Sequence, residues 1–580
     1  MTPPPEHRRA PAAVVLGRTA DAIAAATLDE EGAELARTEV AASELSAWVA
    51  GVEQMSSPRW VWNDAPRWYG TLLADGVRVA RCHDLRLCHA ILRDSALVAE
   101  SAAVRRDARW DAAPHAAEES SAPALFELDD TQSSVGPPGD LDEALAELTR
   151  QREAIAGSAD PARLRLLLAA ESAGALLAEE LRAAGVPWDA REHDRILAET
   201  LGERPPSGGK PAKLVAAGDR VRAALGDPGA SLDSQPKLLR SLHRVGVMVE
   251  STSRWELAEQ EHPVVAPLLE YKRLSRLLSA NGWTWLDEWV SEGRFRPVYV
   301  PGGVVTGRWA SSGGGALQLP RQLREAVRAD PGWKLVVADV AQLEPRVLAA
   351  MSSDAALAAA ARGRDLYAGI VDSGAVGTRQ DAKIAILGAM YGATTGQSGR
   401  LVPRLRRAYP RAMGLVDDAA RTGEDGGVVS TWLGRTSPPP SGAWSAAQSH
   451  ATEAEASGAD ETRARRWARD RGRFTRNFVV QGTAAEWALA WLADLRGRLW
   501  ALPTVDADHA APRSGPVFGS RAHLAFYLHD EVIVHTPAEL ADAAARAVTD
   551  AAAAAGRLLF GDFPVDFRLD VRVSDTALKD

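Results

Sequence analysis

Two aspartates close apolar, β-rich runs in this sequence: Asp339 in VVADVAQLEPR (336–346) and Asp530 in YLHDEVIVH (527–535). Between them, RQDAKIAILGAMYG (379–392) reads as a helix in which Arg379, Lys383, Leu387 and Tyr391 recur every fourth residue and so share one face. A carboxylate at the end of a buried strand is costly unless it is solvated or binds a cation. Two cations four residues apart repel each other, and a polyanion such as a triphosphate would offset that repulsion. Two carboxylates that can share a pair of divalent metals, with cations spaced for a triphosphate, are the minimum apparatus for joining a nucleotide to a 3′ hydroxyl. Each motif also has a purely structural reading. Asp339 could cap the helix that QLEPRVLAAM predicts, Asp530 and Glu531 could be turn chemistry, and the cations could be a solvated stripe. Three such motifs in one order favour the chemical reading.

The elements that must position these residues alternate between strands and long helical blocks, with no internal repeat. Residues 1 to about 110 read as a small α/β unit, and 111–140 as an acidic linker rich in Ser, Pro and Gly. From 141 to about 290 apolar residues recur at helical spacing, interrupted by RPPSGGKPAK (204–213). Strands with glycine turns are expected at 294–310, a buried strand at 334–339, and helices over 346–425. The stretch 436–461 reads as a polar, low-complexity insertion followed by a long helix over 462–500. A loop is expected at 503–520, and then a hairpin at 523–536 whose turn carries His-Asp-Glu.

A length of 580 residues is too great for one core, and 46% hydrophobic with 25% charged residues is ordinary for a soluble globular protein. The net charge of −10 excludes a uniformly basic coat but not a local basic channel, and LVPRLRRAYPR (401–411) and TRARRWARDRGRFTR (462–476) could line one. Only two cysteines occur, Cys82 and Cys88, each followed by a histidine. Their spacing matches no common zinc pattern, so buried thiols in a reducing compartment are expected. No apolar stretch is long enough to span a membrane, which points to a cytoplasmic, nucleoid-associated protein.

From about residue 170 onward the chain resembles the family A DNA polymerases, the bacterial DNA polymerase I type. LLAEELRAAGVPWD (176–189) resembles the lead-in to the thumb and LLEYKRLSRL (268–277) a thumb helix. TGRWASS (306–312) with LQLP (317–320), ADVAQLEPR, RQDAKIAILGAMYG, STWLGR (430–435), RFTRNFVVQGTAAE (473–486) and LHDEV follow the family's motifs in order. The resemblance implies an α+β multidomain fold. In it a right-hand polymerase, with an antiparallel palm sheet and helical fingers and thumb, follows an RNase H-like α/β domain of 3′–5′ exonuclease type. The expected boundaries are 1–165 for the exonuclease-like domain, 166–300 for the thumb and its lead-in, and 301–580 for palm and fingers, with fingers at about 355–480. The chain is too short for the family's 5′-nuclease domain upstream.

The resemblance also implies roles. Asp339 and Asp530 would hold two Mg²⁺ ions, with Glu531 supporting that catalytic site. Arg379 and Lys383 would hold the dNTP triphosphate, Glu344 would close the space beside C2′, and Tyr391 would stand near the templating base. Gln342 and Leu387 would complete the nucleotide site. Thr306, Arg308, Gln318, Arg435, Arg473, Asn477, Gln481 and His529 would contact primer–template DNA. A monomer is expected, with no membrane partner. The sequence departs from the family at Val340-Ala341 (usually Tyr-Ser), Gln380 (usually basic), Leu387 (usually aromatic) and Tyr367 (usually histidine).

In the N-terminal region 59–92 resembles the family's exonuclease stretch, with Asn63 and Asp84 at motif positions. The motif's first aspartate falls on Arg67, and no early strand carries Asp-x-Glu, so the fold is expected without the proofreading activity. The competing expectations are a non-catalytic DNA-binding protein on the same scaffold and a polymerase with residual 3′–5′ exonuclease activity.

Overall fold

The run WKLVVADV is almost continuously apolar and rich in β-branched residues, the signature of a strand covered on both faces. In the computed structural model of the chain it forms the strand Trp333–Val340, a central member of a four-stranded sheet. The order is His523–Leu528, Glu531–Pro537, Trp333–Val340 and Leu569–Ser574. The structure describes residues 11–19, 22–112, 136–206, 208–315, 319–392, 396–451, 453 and 457–578. Strand Trp333–Val340 pairs antiparallel with Glu531–Pro537, from Trp333 opposite Pro537 to Asp339 opposite Glu531. Helix Ala541–Phe560 packs on both of these strands. The helices Pro161–Ala184 and Gly458–Trp500 pack on His523–Leu528.

The expected hairpin is present, with one adjustment. Its turn is His529–Asp530 alone, and Glu531 already belongs to the second strand. A two-residue connection needs left-handed backbone at its first position, which His529 adopts at φ +54°. The polar stretch 436–461 also carries helix among its described residues. Ser441 caps a helix over Gly442–His450, and the long helix starts at Gly458, four residues earlier than its apolar periodicity indicated. The signal was local. Ser457 and Asp460 form a reciprocal capping box at that start. The helix Leu141–Ala156, capped by Asp140, begins where the linker read at 111–140 was expected to end; residues 113–135 lie outside the described part.

Between the strand carrying Asp339 and the long helix, the helices Leu343–Met351, Ala355–Ala361, Leu366–Asp372, Arg379–Tyr391, Gly396–Ala408 and Pro410–Glu424 share one core. It is built from alanines that let the helices approach closely and from Leu348, Leu366, Ile386, Met390 and Phe478.

The N-terminal sheet comprises β1 (Ala13–Arg18), β2 (Ile23–Leu28), β3 (Glu34–Val40), β4 (Arg59–Trp62) and β5 (Arg81–Asp84), in the order β3-β2-β1-β4-β5. The first three strands are antiparallel and β1, β4 and β5 are parallel. The chain divides into two compact units: 1–184 with 298–312 and 332–573, and 185–297 with 313–331 and 574–580. The second unit is built of short helices, with Val265–Asn281 the longest. Its small sheet has the order Val186–Pro187, Arg294–Phe295, Val290–Ser291.

Within the first unit a buried charge cluster joins the N-terminal sheet to the helices Pro161–Ala184 and Gly458–Trp500. Arg496 donates to Glu180 at 2.6 and 2.9 Å and to the carbonyls of Val79 and Ala80. Tyr69 donates to Glu180 at 2.6 Å, and Arg78 lies 3.2 Å from the same carboxylate. Glu180→Gln would leave two buried guanidinium groups facing one neutral amide. The expected loss is about 3–5 kcal/mol, read as a lowered midpoint of urea unfolding. An unchanged midpoint would mean that this cluster does not tie the two parts together.

Candidate active site

The sheet register sets the first part of the site. Val340 N–H donates to the carbonyl of Asp530 at 2.9 Å, one residue beyond the pair Asp339–Glu531. Asp339 and Asp530 therefore sit side by side at one end of the sheet, 191 positions apart in sequence. Asp339 does not cap the following helix. That position is taken by Gln342 in left-handed conformation (φ +52°), with Glu344 in the first turn. Glu531 is buried, whereas both aspartates are partly open. Among the described residues no cluster of three His, Cys, Asp or Glu side chains could cage an ion. Two hard carboxylates, one on a strand and one in the adjoining hairpin turn, fit Mg²⁺, which takes one or two protein carboxylates and draws its remaining ligands from water and substrate phosphates.

Beside the carboxylates lies a cavity of about 200 Å³ whose wall includes Glu344, Tyr367, Leu387, Tyr391, His529 and Asp530. Glu344 is held at both oxygens. Arg308 ion-pairs with one, and the Tyr391 hydroxyl donates to the other at 2.6 Å. Tyr391 is also hydrogen-bonded to Gln481. Burial and the neighbouring Glu344 charge push the Tyr391 phenol well above its usual range. Burial, and secondarily the Arg308 cation, lower the pKa of His529, so the ring is neutral at pH 7. The cavity thus has one fixed carboxylate, an apolar patch at Leu387 and a neutral imidazole at its rim.

The helix Arg379–Tyr391 presents the face its sequence spacing predicts. Arg379, Lys383 and Tyr391 are exposed and Leu387 half-buried, while Ala382, Ala385, Ile386, Ala389 and Met390 are buried behind them. Gln380 is exposed. Lys383 has no bonded partner among the described residues. Arg379 is paired with Asp365, a contact that spacing could not have shown because the two residues lie on different helices.

Of the residues proposed to touch DNA, Arg473, Asn477 and Gln481 follow one another at four-residue intervals along one face of the long helix. Arg473 is exposed and pairs with Asp470, whereas Asn477 and Gln481 are half-buried. Thr306 is buried and Arg435 half-buried. The Arg435 guanidinium donates to buried Glu171 at 2.7 Å. Gly307, at φ +83°, lies against the same guanidinium, where a Cβ would come within 2.6 Å of its Nε. Glu486 accepts from the hydroxyl of Thr431 and, at 2.9 Å, from the Leu433 N–H. The segments 306–308, 431–435 and 481–486 therefore interlock beneath the cavity. Gln318 lies outside the described residues.

Residues 241–576 match the family model of DNA polymerase family A, and the chain belongs to that family. Its relatives include DNA polymerase I of Chloroflexus aurantiacus, 28% identical over 350 residues, covering 55% of this chain and 33% of that one. The thermostable DNA polymerase I of Thermus aquaticus is 24% identical over 470 residues, covering 75% of this chain and 47% of that one. The chain thus spans between a third and a half of the length of these curated relatives. In fold it is similar to the POL domain of Pol1 from M. smegmatis, solved in complex with DNA primer-template and dNTP. The TM-score is 0.66 at 17% identity, covering 97% of this chain and 95% of that one.

Burial raises the Glu486 carboxyl to about 7, from an ordinary 4.5, against the pull of its bonds to Thr431 and Leu433. Folding therefore takes up a proton. The contribution is complete below pH 4.5 and is lost as pH rises through 7. The wild type should lose up to about 3 kcal/mol from this group between pH 5 and 8, and Glu486→Gln should flatten that slope in melting curves. An identical pH profile in the variant would show that Glu486 folds in its charged form.

Proposed function

We propose that the chain is a template-directed DNA polymerase that adds dNMPs to a primer 3′ end, serves replication or repair, and acts as a cytoplasmic monomer. The observation that carries this reading is the strand register that sets Asp339 beside Asp530 at the mouth of a cavity walled by the cation-bearing helix. Asp339 and Asp530 would hold two Mg²⁺ ions, which when bound supply Lewis acidity at the reacting phosphate and lower the pKa of the primer hydroxyl. The chain's own residues do the rest. Arg379 and Lys383 bind the triphosphate and neutralise charge developing on the departing pyrophosphate. Glu344, fixed by Arg308 and Tyr391, stands where the incoming sugar's C2′ would lie and leaves no room for a 2′ hydroxyl. Leu387 supplies an apolar wall and Tyr391 meets the templating base. Arg473, Asn477 and Gln481 track the primer–template with Arg308 and His529, while Thr306 and Arg435 support that surface from within.

Asp339→Asn or Asp530→Asn should each abolish primer extension, by on the order of a thousandfold, because each removes one ligand of a metal that contributes several kcal/mol to the transition state. Duplex affinity should remain, and chelation by EDTA should mimic either variant. Substantial extension by either variant would remove these aspartates from the reaction.

We infer further that the N-terminal sheet carries no 3′–5′ exonuclease activity. Asp84 is fully buried and accepts the Leu87 and Ala65 N–H groups, capping one helix and bracing the start of another. Asn63 accepts from the Trp68 indole and donates to the Pro137 carbonyl. At the end of β1, a Cβ on Gly17 would lie 2.2 Å from the Leu141 nitrogen, so no carboxylate can project there. A mismatched 3′-labelled primer incubated with Mg²⁺ should stay at full length. Metal-dependent shortening that survives Asp339→Asn would overturn this inference.

A further inference from the structure

We propose that Asp365 and Tyr367 are positioning residues that preset Arg379 for a triphosphate, Asp365 clamping one edge of its guanidinium and Tyr367 acting as the platform beneath it. This rests on the polymerase reading of the same site. Arg379 donates through Nε to Asp365 at 3.2 Å and through Nη2 at 2.7 Å, a side-on pair. A guanidinium carries five N–H donors in a rigid plane, so this pair leaves both Nη1 hydrogens and one on Nη2 for a second anion. That end is open, because 58% of the Arg379 side chain is exposed. The Tyr367 ring lies 5.3 Å from the guanidinium carbon, within cation–π range. The ring is itself packed in the helical core, so it forms a fixed floor.

Asp365 is fixed as firmly. It accepts the Ala368 N–H at 2.8 Å, capping the helix Leu366–Asp372, and the Gln342 amide at 3.1 Å. Gln342 also accepts the Leu366 N–H and stands three residues beyond Asp339 in sequence. Direct bonds therefore run from the end of the metal-carboxylate strand through Gln342 and Asp365 to the phosphate-facing cation. Lys383, one turn further on, has no bonded partner among the described residues, so one cation is oriented and the other adapts. A side chain already held in its binding rotamer loses less freedom when the anion arrives.

The test compares Asp365→Asn, Tyr367→Leu and Tyr367→Phe with the wild type in single-nucleotide primer extension. In parallel, calorimetry on the protein without DNA measures binding of inorganic tripolyphosphate. Asparagine still caps a helix, and leucine fills the core without a ring. Asp365→Asn and Tyr367→Leu should each raise the KM for dNTP and the Kd for tripolyphosphate by about two- to fivefold, with kcat little changed. Tyr367→Phe should stay within about twofold of the wild type, since the ring and not its hydroxyl forms the platform. Unchanged affinities in Asp365→Asn, or tighter tripolyphosphate binding, would overturn the proposal by showing that Asp365 competes with the anion. Phenylalanine as damaging as leucine would overturn the platform. Should Tyr367→Leu fail to fold, Asp365→Asn with Tyr367→Phe still decides the matter. Loss of primer extension in the wild type itself would instead refute the polymerase reading, and the tripolyphosphate ranking would remain readable.

Discussion

The antiparallel pairing of Trp333–Val340 with Glu531–Pro537 is the constraint on which the rest of the site depends. Pairing is residue by residue, so a slip of one residue would break the packed pairs Val336–Val534 and Ala338–Val532 and move Asp339 away from Asp530. Those residues are fully buried, which makes the correct register much lower in energy than its neighbours. The two-residue turn at His529–Asp530 then leaves no slack. It sets the Asp530 carbonyl on the Val340 N–H, so that the backbones of Asp339 and Asp530 adjoin at one end of the sheet.

Around that sheet, buried arginines connect segments that are distant in sequence. Arg346 is fully buried and donates to the carbonyls of Ala341, Ala361, Arg364 and Asp566 and to the Asp566 carboxylate. It fixes the turn between the Asp339 strand and the first helix after it. Arg435 with Glu171, and Arg496 with Glu180, do the same beneath the cavity and behind the palm. A buried guanidinium is expensive to desolvate and is tolerated where carbonyls and carboxylates satisfy its donors. Its geometry is demanding, so each such residue admits few arrangements of its neighbours. Two of the positions at which the chain departs from its family, Leu387 and Tyr367, line the cavity. Leu387 keeps an apolar wall, and Tyr367 exchanges a polar ring for a packed one against which Arg379 rests.

By itself the sequence determined the local elements and the ordering of the chemistry. The unbroken apolar run at 335–338 pointed to a strand buried on both faces, and the four-residue spacing of Arg379, Lys383, Leu387 and Tyr391 required that they share one helix face. Seven motifs in one order carried the family. The helix at Gly442–His450 and the earlier start of the long helix escaped because short, polar helices depend on capping and docking more than on periodicity. What only the tertiary structure decided is which charges meet. Glu344 pairs with Arg308, 36 positions away, and Arg435 with Glu171, 264 positions away. Arg379 rests on Asp365, which caps a different helix; Thr306 is buried, and Arg435 is half-buried against Glu171. Periodicity reports which side of an element faces inward, through short-range geometry shared by all residues of a type. The partner of a long charged side chain is set by how separate elements pack, and no local pattern encodes it.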